Sequence, residues 1–160
     1  MALCDIKRFK NDHFLEKVFD NLTKKYFLEL VKYNKKMKER LDLTINDYKD
    51  YCETYSSIEI EIIPQRKGKD NFINIKEEDK QYYHIYFNDN EEEVKRYNIK
   101  KNDNITKINI RIDYQILSFE YLFSWCIFIE SINFKKFYRN NINNMKGMFY
   151  ECSSLKEIIM

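Results

Sequence analysis

Two stretches decide how this chain is read: FEYLFSWCIFIESINF at residues 119–134 and MKGMFYECSSLKEIIM at residues 145–160. Laid over each other at a shift of 26 residues, they match Phe123 with Phe149, Cys126 with Cys152 and Ile132 with Ile158. Four more apolar pairs share that register: Phe119 with Met145, Leu122 with Met148, Ile129 with Leu155, and Phe134 with Met160. Seven matches in sixteen positions exceed the roughly three that a chain with 44% hydrophobic residues gives by chance. A fixed period of this size predicts one supersecondary unit per repeat, each burying its apolar face only when a neighbour stacks on it. In each unit a short helical or turn segment, such as 145–149, covers one side, while Leu155 and Ile158 enter a parallel strand on the other. Cys126 and Cys152 are expected one above the other at the turn into the strand. There a small buried hydrophobe with a weak S–H donor is needed more than a disulfide or half a metal site.

The second copy, with Asn144 ahead of it, resembles the repeat of BspA-type leucine-rich-repeat proteins, whose units run Met-x-x-Met-Phe-x-x-Cys-x-x-Leu before a short strand. Met145, Met148, Phe149, Cys152, Ser153, Ser154, Leu155 and Ile158 carry the match. The first copy departs from it at Trp125, Ile127 and Phe128, where that family has small polar residues. A more apolar first unit is what a terminal repeat under a cap looks like. The resemblance implies protein–protein recognition through a repeat surface, with adhesion known for surface-located members.

Outside these stretches, composition sets limits. At 160 residues there is enough chain for one medium domain or two small ones with a real core. Lys+Arg 28 against Asp+Glu 26 leaves a net charge of +2, so no global field selects nucleic acid or an anionic membrane. With Gly 2 and Pro 1, no loop has the glycines of a phosphate cradle. The opening residues 1–10 are broken by charges and carry no signal-peptide core. The longest apolar run, around Trp125 to Ile129, is far too short to span a bilayer. A cytoplasmic location is therefore expected. Cysteines at 4, 52, 126 and 152 show no close pairing, which argues against a disulfide framework and a zinc knuckle. Without a secretory signal, the triplets beginning at Asn21 and Asn104 are expected to escape glycosylation.

Residues 1–56 read as a three-helix block. Asp12 caps a first helix with Phe14, Leu15, Val18, Phe19 and Leu22 as its apolar stripe. Thr23 caps a second, with Phe27, Leu30, Val31, Asn34, Met37 and Leu41 on one face. Thr44 followed by Asp47 starts a third, striped by Ile45, Tyr48, Cys52 and Tyr55. Leu15, Val18, Phe19, Leu22, Phe27 and Leu30 also resemble the F-box, the helical adaptor that recruits a ubiquitin-ligase scaffold. Asp12-His13 stands where that family opens with Leu-Pro. Under that resemblance Leu15, Val18, Phe19 and Leu22 are the partner-docking helix. The basic run at Lys32, Lys35, Lys36, Lys38 and Arg40 reads as a solvated helix face.

Residues 57–113 change to a period of two. Ile58, Ile60 and Ile62 alternate with Glu59, Glu61 and Ile63 until Pro64 stops the strand. Further strands are expected at 72–75, 82–87, 94–99 and 105–113, the last with Ile108, Ile110 and Ile112 on one face. Five short strands at regular spacing predict an antiparallel sheet whose last strand opens the parallel stack continued by the repeats in 114–160.

No convergent catalytic group is legible. His84 sits mid-strand between Tyr83 and Ile85 with no nucleophile motif nearby, and reads as a partly buried structural histidine. Glu77 to Asp79 and Glu91 to Glu93 lack the spacing of a calcium loop and read as solvated turns. The abundant aromatics, 13 Tyr and 12 Phe, lack the one-signed basic surround that nucleic-acid stacking needs.

The reading is thus an α+β chain: an N-terminal three-helix block, a central antiparallel β-rich region, and the start of a leucine-rich-repeat solenoid. Leu122, Phe123, Cys126, Ile129, Ile132, Met145, Met148, Phe149, Cys152, Leu155 and Ile158 form its repeat signature. The expected function is non-enzymatic protein–protein interaction or scaffolding, with no cofactor, metal, nucleic-acid or membrane partner. The alternative is an F-box-like substrate receptor. Because residues 155–158 open a strand with no polar capping repeat after it, either the sequence is the front of a longer repeat protein or its open end pairs with another copy. The first is favoured.

Overall fold

The alternating isoleucines at 58, 60 and 62 form the middle strand of a five-stranded sheet in the computed structural model. It describes Tyr26, Leu28, Val31 and residues 33–65, 70–100 and 102–160. The chain divides into two compact units, Met1–Tyr55 and Ser56–Met160. The protein is mixed α/β with few helices.

The sheet belongs to the second unit. Its strands are β1 (Ile58–Pro64), β2 (Tyr83–Phe87), β3 (Ile108–Ile112), β4 (Ile129–Lys136) and β5 (Glu157–Ile159), in the order β2-β3-β1-β4-β5. β1 pairs antiparallel with both β3 and β4, β2 antiparallel with β3, and β4 parallel with β5. The register sets Ile60 opposite Ile110 and Ile110 opposite Ile85, so one face carries Ile58, Ile60, Ile62, Ile85, Ile108, Ile110, Ile112 and Ile132. All eight are at most 2% exposed. Burying each contributes about 1.5–3 kcal/mol, and a one-residue slip would turn the whole set to the other face. The opposite face is charged and self-paired, with Lys135 2.6 Å from Glu61 and Lys136 3.4 Å from Glu59. Pro64 lies beyond the last residue paired with β3, where its missing N–H breaks no bond on that side.

Two expected strands are absent. The segments around 72–75 and 94–99 form no strand and meet at one isolated bridge, Asn71 with Asn98, flanked by Phe72 N–H to Tyr97 O at 3.1 Å and Ile99 N–H to Asp70 O at 2.9 Å. A ladder does not continue because Asn74 turns to another partner. Its N–H donates to Leu122 O at 2.7 Å, and its side-chain amide donates to Ser124 O at 2.6 Å and Tyr121 O at 3.2 Å. The sheet is also mixed rather than antiparallel. β1, not the strand at 105–113, adjoins the parallel pair.

After β3 the main chain repeats its own geometry. Leu122 N–H bonds Phe119 O and Met148 N–H bonds Met145 O; the same shift of 26 relates Ser124 to Tyr150, Cys126 to Cys152 and Ile129 to Leu155 as donors. Tyr121 and Gly147 share a left-handed φ of 53° and 60°, and Trp125 and Glu151 share one of 58° and 55°. These two coils lie against each other. The N–H groups of Phe119, Tyr121, Phe123 and Trp125 donate to the carbonyls of Asn144, Lys146, Met148 and Tyr150 at 2.7–2.9 Å. Ser131, Ile132 and Asn133 pair with Glu157, Ile158 and Ile159 in the strands. Phe123 stacks on Phe149 with ring centroids 5.9 Å apart and planes 6° off parallel.

Gly147 is where this stacking requires glycine. A Cβ there would sit 2.2 Å from Tyr121 Cε1, on a backbone at φ +60°. Gly147→Ala is expected to destabilise the second unit by about 1–3 kcal/mol, from the left-handed penalty and the displaced ring. Urea unfolding followed by tryptophan fluorescence measures it, since Trp125 is the only tryptophan.

In the first unit Tyr26, Leu28 and Val31 are helical, followed by helices α1 (Lys35–Arg40) and α2 (Ile45–Tyr55). The helix expected over Asp12 to Leu22, its cap, and the cap Thr23 lie outside the described residues. Asn34 does not belong to the apolar face of a continuous helix. It is the N-cap of α1, its side-chain oxygen accepting from Met37 N–H at 3.2 Å, the role short amides fill best. Leu28, absent from the expected stripe, is 1% exposed, as is Val31. Thr44 and Asp47 do open α2: Asp47 Oδ2 accepts from both the N–H and the hydroxyl of Thr44 at 2.9 Å. The expected stripe of α2 is not buried, with Ile45 84% exposed and Cys52 also exposed.

Candidate functional site

The two coils place the repeat-signature residues in graded layers. Leu122, Phe123, Cys126, Ile129, Ile132 and Met148 are buried, Phe149, Cys152 and Leu155 pack partly buried against them, and Met145 and Ile158 are exposed. Leu15, Val18, Phe19 and Leu22 lie outside the described residues. The thiols of the signature are structural in their bonding. Cys126 Sγ faces Ser124 O at 3.8 Å, and Cys152 Sγ donates to Phe123 O at 2.9 Å, tying the second coil to the first. Both are free thiols.

Burial pushes the Cys126 thiol up to about 12 and raises Cys152 as well. Native alkylation, read by peptide mass spectrometry, should label exposed Cys52 and leave Cys126 unreacted until the protein unfolds. The linkage has a definite sign. From an unfolded thiol pKa of about 8.5 up to about 12 the folded state holds a proton that the unfolded chain has lost, so stability falls as pH climbs through that window.

His84 is 19% exposed and lies between two carboxylates: Nδ1 is 3.2 Å from Glu93 Oε1, and Nε2 is 3.2 Å from Asp113 Oδ2. Glu93 is held below the ordinary carboxylate range, first by its hydrogen bond from the Lys95 ammonium. Reading 91–93 as a solvated turn therefore missed Glu93. The cluster joins β2, the segment after it and the residue that follows β3. Among the described residues no group of three His, Cys, Asp or Glu side chains could hold a metal ion, and no helix is long and apolar enough to cross a membrane.

The second unit also carries a cleft of about 670 Å³. It is lined by Asn71, Ile73 and Lys76, by Arg96, Tyr97 and Asn98, and by Glu120 and Tyr121 of the first coil. This volume falls in the range of ligand pockets. Most of its charge is already matched. Lys80 pairs with Glu77 at 2.5 Å and lies 5.2 Å from the Tyr97 ring, while Arg96 pairs with Asp103 and lies 4.8 Å from the Phe87 ring. The Asn74 amide fixes the wall to the first coil.

The two coils also carry exposed aromatic rings. Tyr121 lies over Gly147, and Trp125 meets Tyr150 edge-on, with centroids 6.0 Å apart and planes at 72°. Trp125 is 62%, Tyr150 54% and Tyr121 43% exposed. Tyr121 and Tyr150 did not stand out in the sequence, and Trp125 did so only as a departure from the repeat pattern, although one further signal was available. In the register of 26, Tyr121 falls on Gly147 and Trp125 on Glu151, so the first copy puts large rings where the second has none. No family model, curated protein or solved structure matches this chain.

Proposed function

We propose that this chain is a non-enzymatic protein-recognition module, built on the first two coils of a leucine-rich-repeat solenoid of BspA type. The observation that carries the reading is the residue-for-residue stacking of 119–133 on 144–159, with the same internal hydrogen bonds and the same left-handed positions in both coils. An element that repeats its backbone at a fixed period presents an extended, graded surface, and such surfaces serve recognition. The exposed rings of Trp125, Tyr150 and Tyr121 are of the kind that anchor protein interfaces.

The test is affinity capture from an extract of the source cells, repeated with Trp125→Ala and Tyr150→Ala and then with the purified partner. A protein retained by the native chain, lost with either substitution and bound again when purified, supports the reading. Retention indifferent to both but abolished by Leu15→Lys and Phe19→Lys moves the function to the N-terminal segment and its ubiquitin-ligase resemblance. The absence of any reproducible partner removes the proposal.

A further inference from the structure

We infer that the outer face of the second coil docks an uncapped, coil-forming segment of another chain, which adds to the stack as a third layer through a row of free carbonyls. This rests on the recognition reading above and names the partner's build.

The contact between the two coils shows how such a layer is held. The N–H groups of Phe119, Tyr121, Phe123 and Trp125 all donate to the second coil. One period on, the N–H groups of Met145, Gly147, Phe149 and Glu151 meet no acceptor among the described residues. The coils share their internal hydrogen bonds and left-handed positions, so this second row is presented as the first one is. Burial falls at the same step. Phe119, Phe123, Cys126 and Ile132 are fully buried, whereas their counterparts Met145 and Ile158 are 43% and 41% exposed, and Phe149 and Cys152 are only partly buried. A hollow of about 290 Å³ is lined by Phe134, Phe137, Met145, Met148, Phe149 and Met160, and suits an apolar side chain. β5 pairs on one side only, with β4.

The hydrogen bonds select among occupants. A row made only of donors needs a row made only of acceptors, as the first coil finds at Asn144, Lys146, Met148 and Tyr150. The edge of an ordinary β-strand carries N–H groups as well as carbonyls and would set donor against donor. A second folded copy has no such row to offer. Its second-coil carbonyls accept from its own first coil. The corresponding carbonyls of its first coil are those of Ser118, Glu120, Leu122 and Ser124, and Asn74 holds two of them, through N–H to Leu122 O at 2.7 Å and amide to Ser124 O at 2.6 Å. Asn74 thus caps the acceptor side of the stack, and the donor side stays open. The occupant is a segment whose carbonyl row is not yet used.

Charge adds a second criterion. The register sets Glu120 against Lys146 and Glu130 against Lys156, the latter as an ion pair. Lys146 and Lys156 are both exposed, so the fitting segment carries carboxylates at these two places.

The probe is a fluorescein-labelled peptide with the sequence of residues 144–160 and the changes Lys146→Glu and Lys156→Glu, titrated with the whole reduced chain and followed by anisotropy. It should bind saturably, with a midpoint at least roughly tenfold below that of the same residues in scrambled order, and Phe149→Ala in the peptide should weaken it by roughly tenfold. Met145→Lys in the chain, at an exposed side chain, should weaken it too at unchanged circular dichroism. Hydrogen exchange followed by NMR reads the register. In the free chain the amides of Met145, Gly147, Phe149 and Glu151 should exchange faster than those of Phe119, Tyr121, Phe123 and Trp125, and saturating peptide should slow them by roughly tenfold or more. No saturable binding, equal binding of the scrambled peptide, or binding that leaves those four amides unprotected overturns the inference. Concentration-dependent self-association that protects them without peptide also overturns it, in favour of a second copy. The wider reading fails separately. If the peptide is inert yet a purified partner is still lost with Trp125→Ala, only the third layer falls. If the peptide binds while that partner is indifferent to Trp125→Ala and Tyr150→Ala, the exposed rings are not the recognition surface and the third layer stands.

Discussion

Phe123→Ala should lower the stability of the second unit by about 3–5 kcal/mol, the loss expected when a fully buried aromatic ring leaves a cavity that its surroundings cannot close. Phe123 is 0% exposed and stacks on Phe149, which itself packs only partly buried on the core. Its main chain is tied to the second coil on both sides, because its N–H donates to Met148 O and its carbonyl accepts from the Cys152 thiol. Collapse of the cavity would have to move the second coil. Phe149→Ala should cost less than Phe123→Ala, since part of its ring is already in water. The two substitutions touch the same contact, so their effects should not add. A double-mutant cycle is expected to return a coupling of about 0.5–1.5 kcal/mol for the stacked pair. Urea melts followed by the emission of Trp125 confine the measurement to this unit, which matters because the chain has two units and one overall midpoint would not be a two-state quantity. A Phe123→Ala loss under about 1 kcal/mol, or strict additivity, would mean that the coils do not stack in solution as described.

The sequence made this pair legible because stacking puts chemically similar residues one period apart. It made the isoleucines of β1 and β3 legible because a sheet with one buried face enforces alternation. Alternation names a face but not a neighbour, and the errors follow from that. Residues 72–75 and 94–99 have the apolar content of short strands, yet Asn74 spends its main-chain and side-chain donors on the first coil, a contact 48 residues away that no local pattern records. The insertion of β1 between β3 and β4 is likewise a non-local choice. Asn34 sat on the helical stripe by count, but its amide competes for the backbone and turns that position into a cap. Glu93 looked like one of three solvated acids until the fold brought His84 against it. The exposed rings of the coils were the least legible feature. What makes Tyr121 and Trp125 unusual is a backbone angle, hinted at only by Gly147 one period on.

Arg139 is the second place where a large effect is expected, and it carried no signal in the sequence. It is 4% exposed and donates to neutral acceptors: Nη2 to Ile116 O at 2.6 Å, Nη1 to Asp113 O at 3.2 Å and Nε to Asn141 Oδ1 at 2.9 Å. Burial lowers its pKa from the ordinary guanidinium value, but a guanidinium starts high enough to stay charged. The planar fork holds the turn between β3 and the first coil to the chain between the coils, so it fixes where the repeat geometry begins. Arg139→Met keeps the apolar stem and removes three donors. Three acceptors then lose their partner at a cost of about 1–3 kcal/mol each if left dry, offset by relief of the buried charge. A net loss of about 2–4 kcal/mol is expected in urea melts. Arg139→Lys separates the two contributions. It keeps the charge and supplies donors from a single point that cannot reach Asp113 O, Ile116 O and Asn141 together, so it should recover less than half of the loss. Full recovery by lysine would show that the charge alone matters here, and a neutral Arg139→Met would show that water reaches these carbonyls and that the turn is not held by the fork.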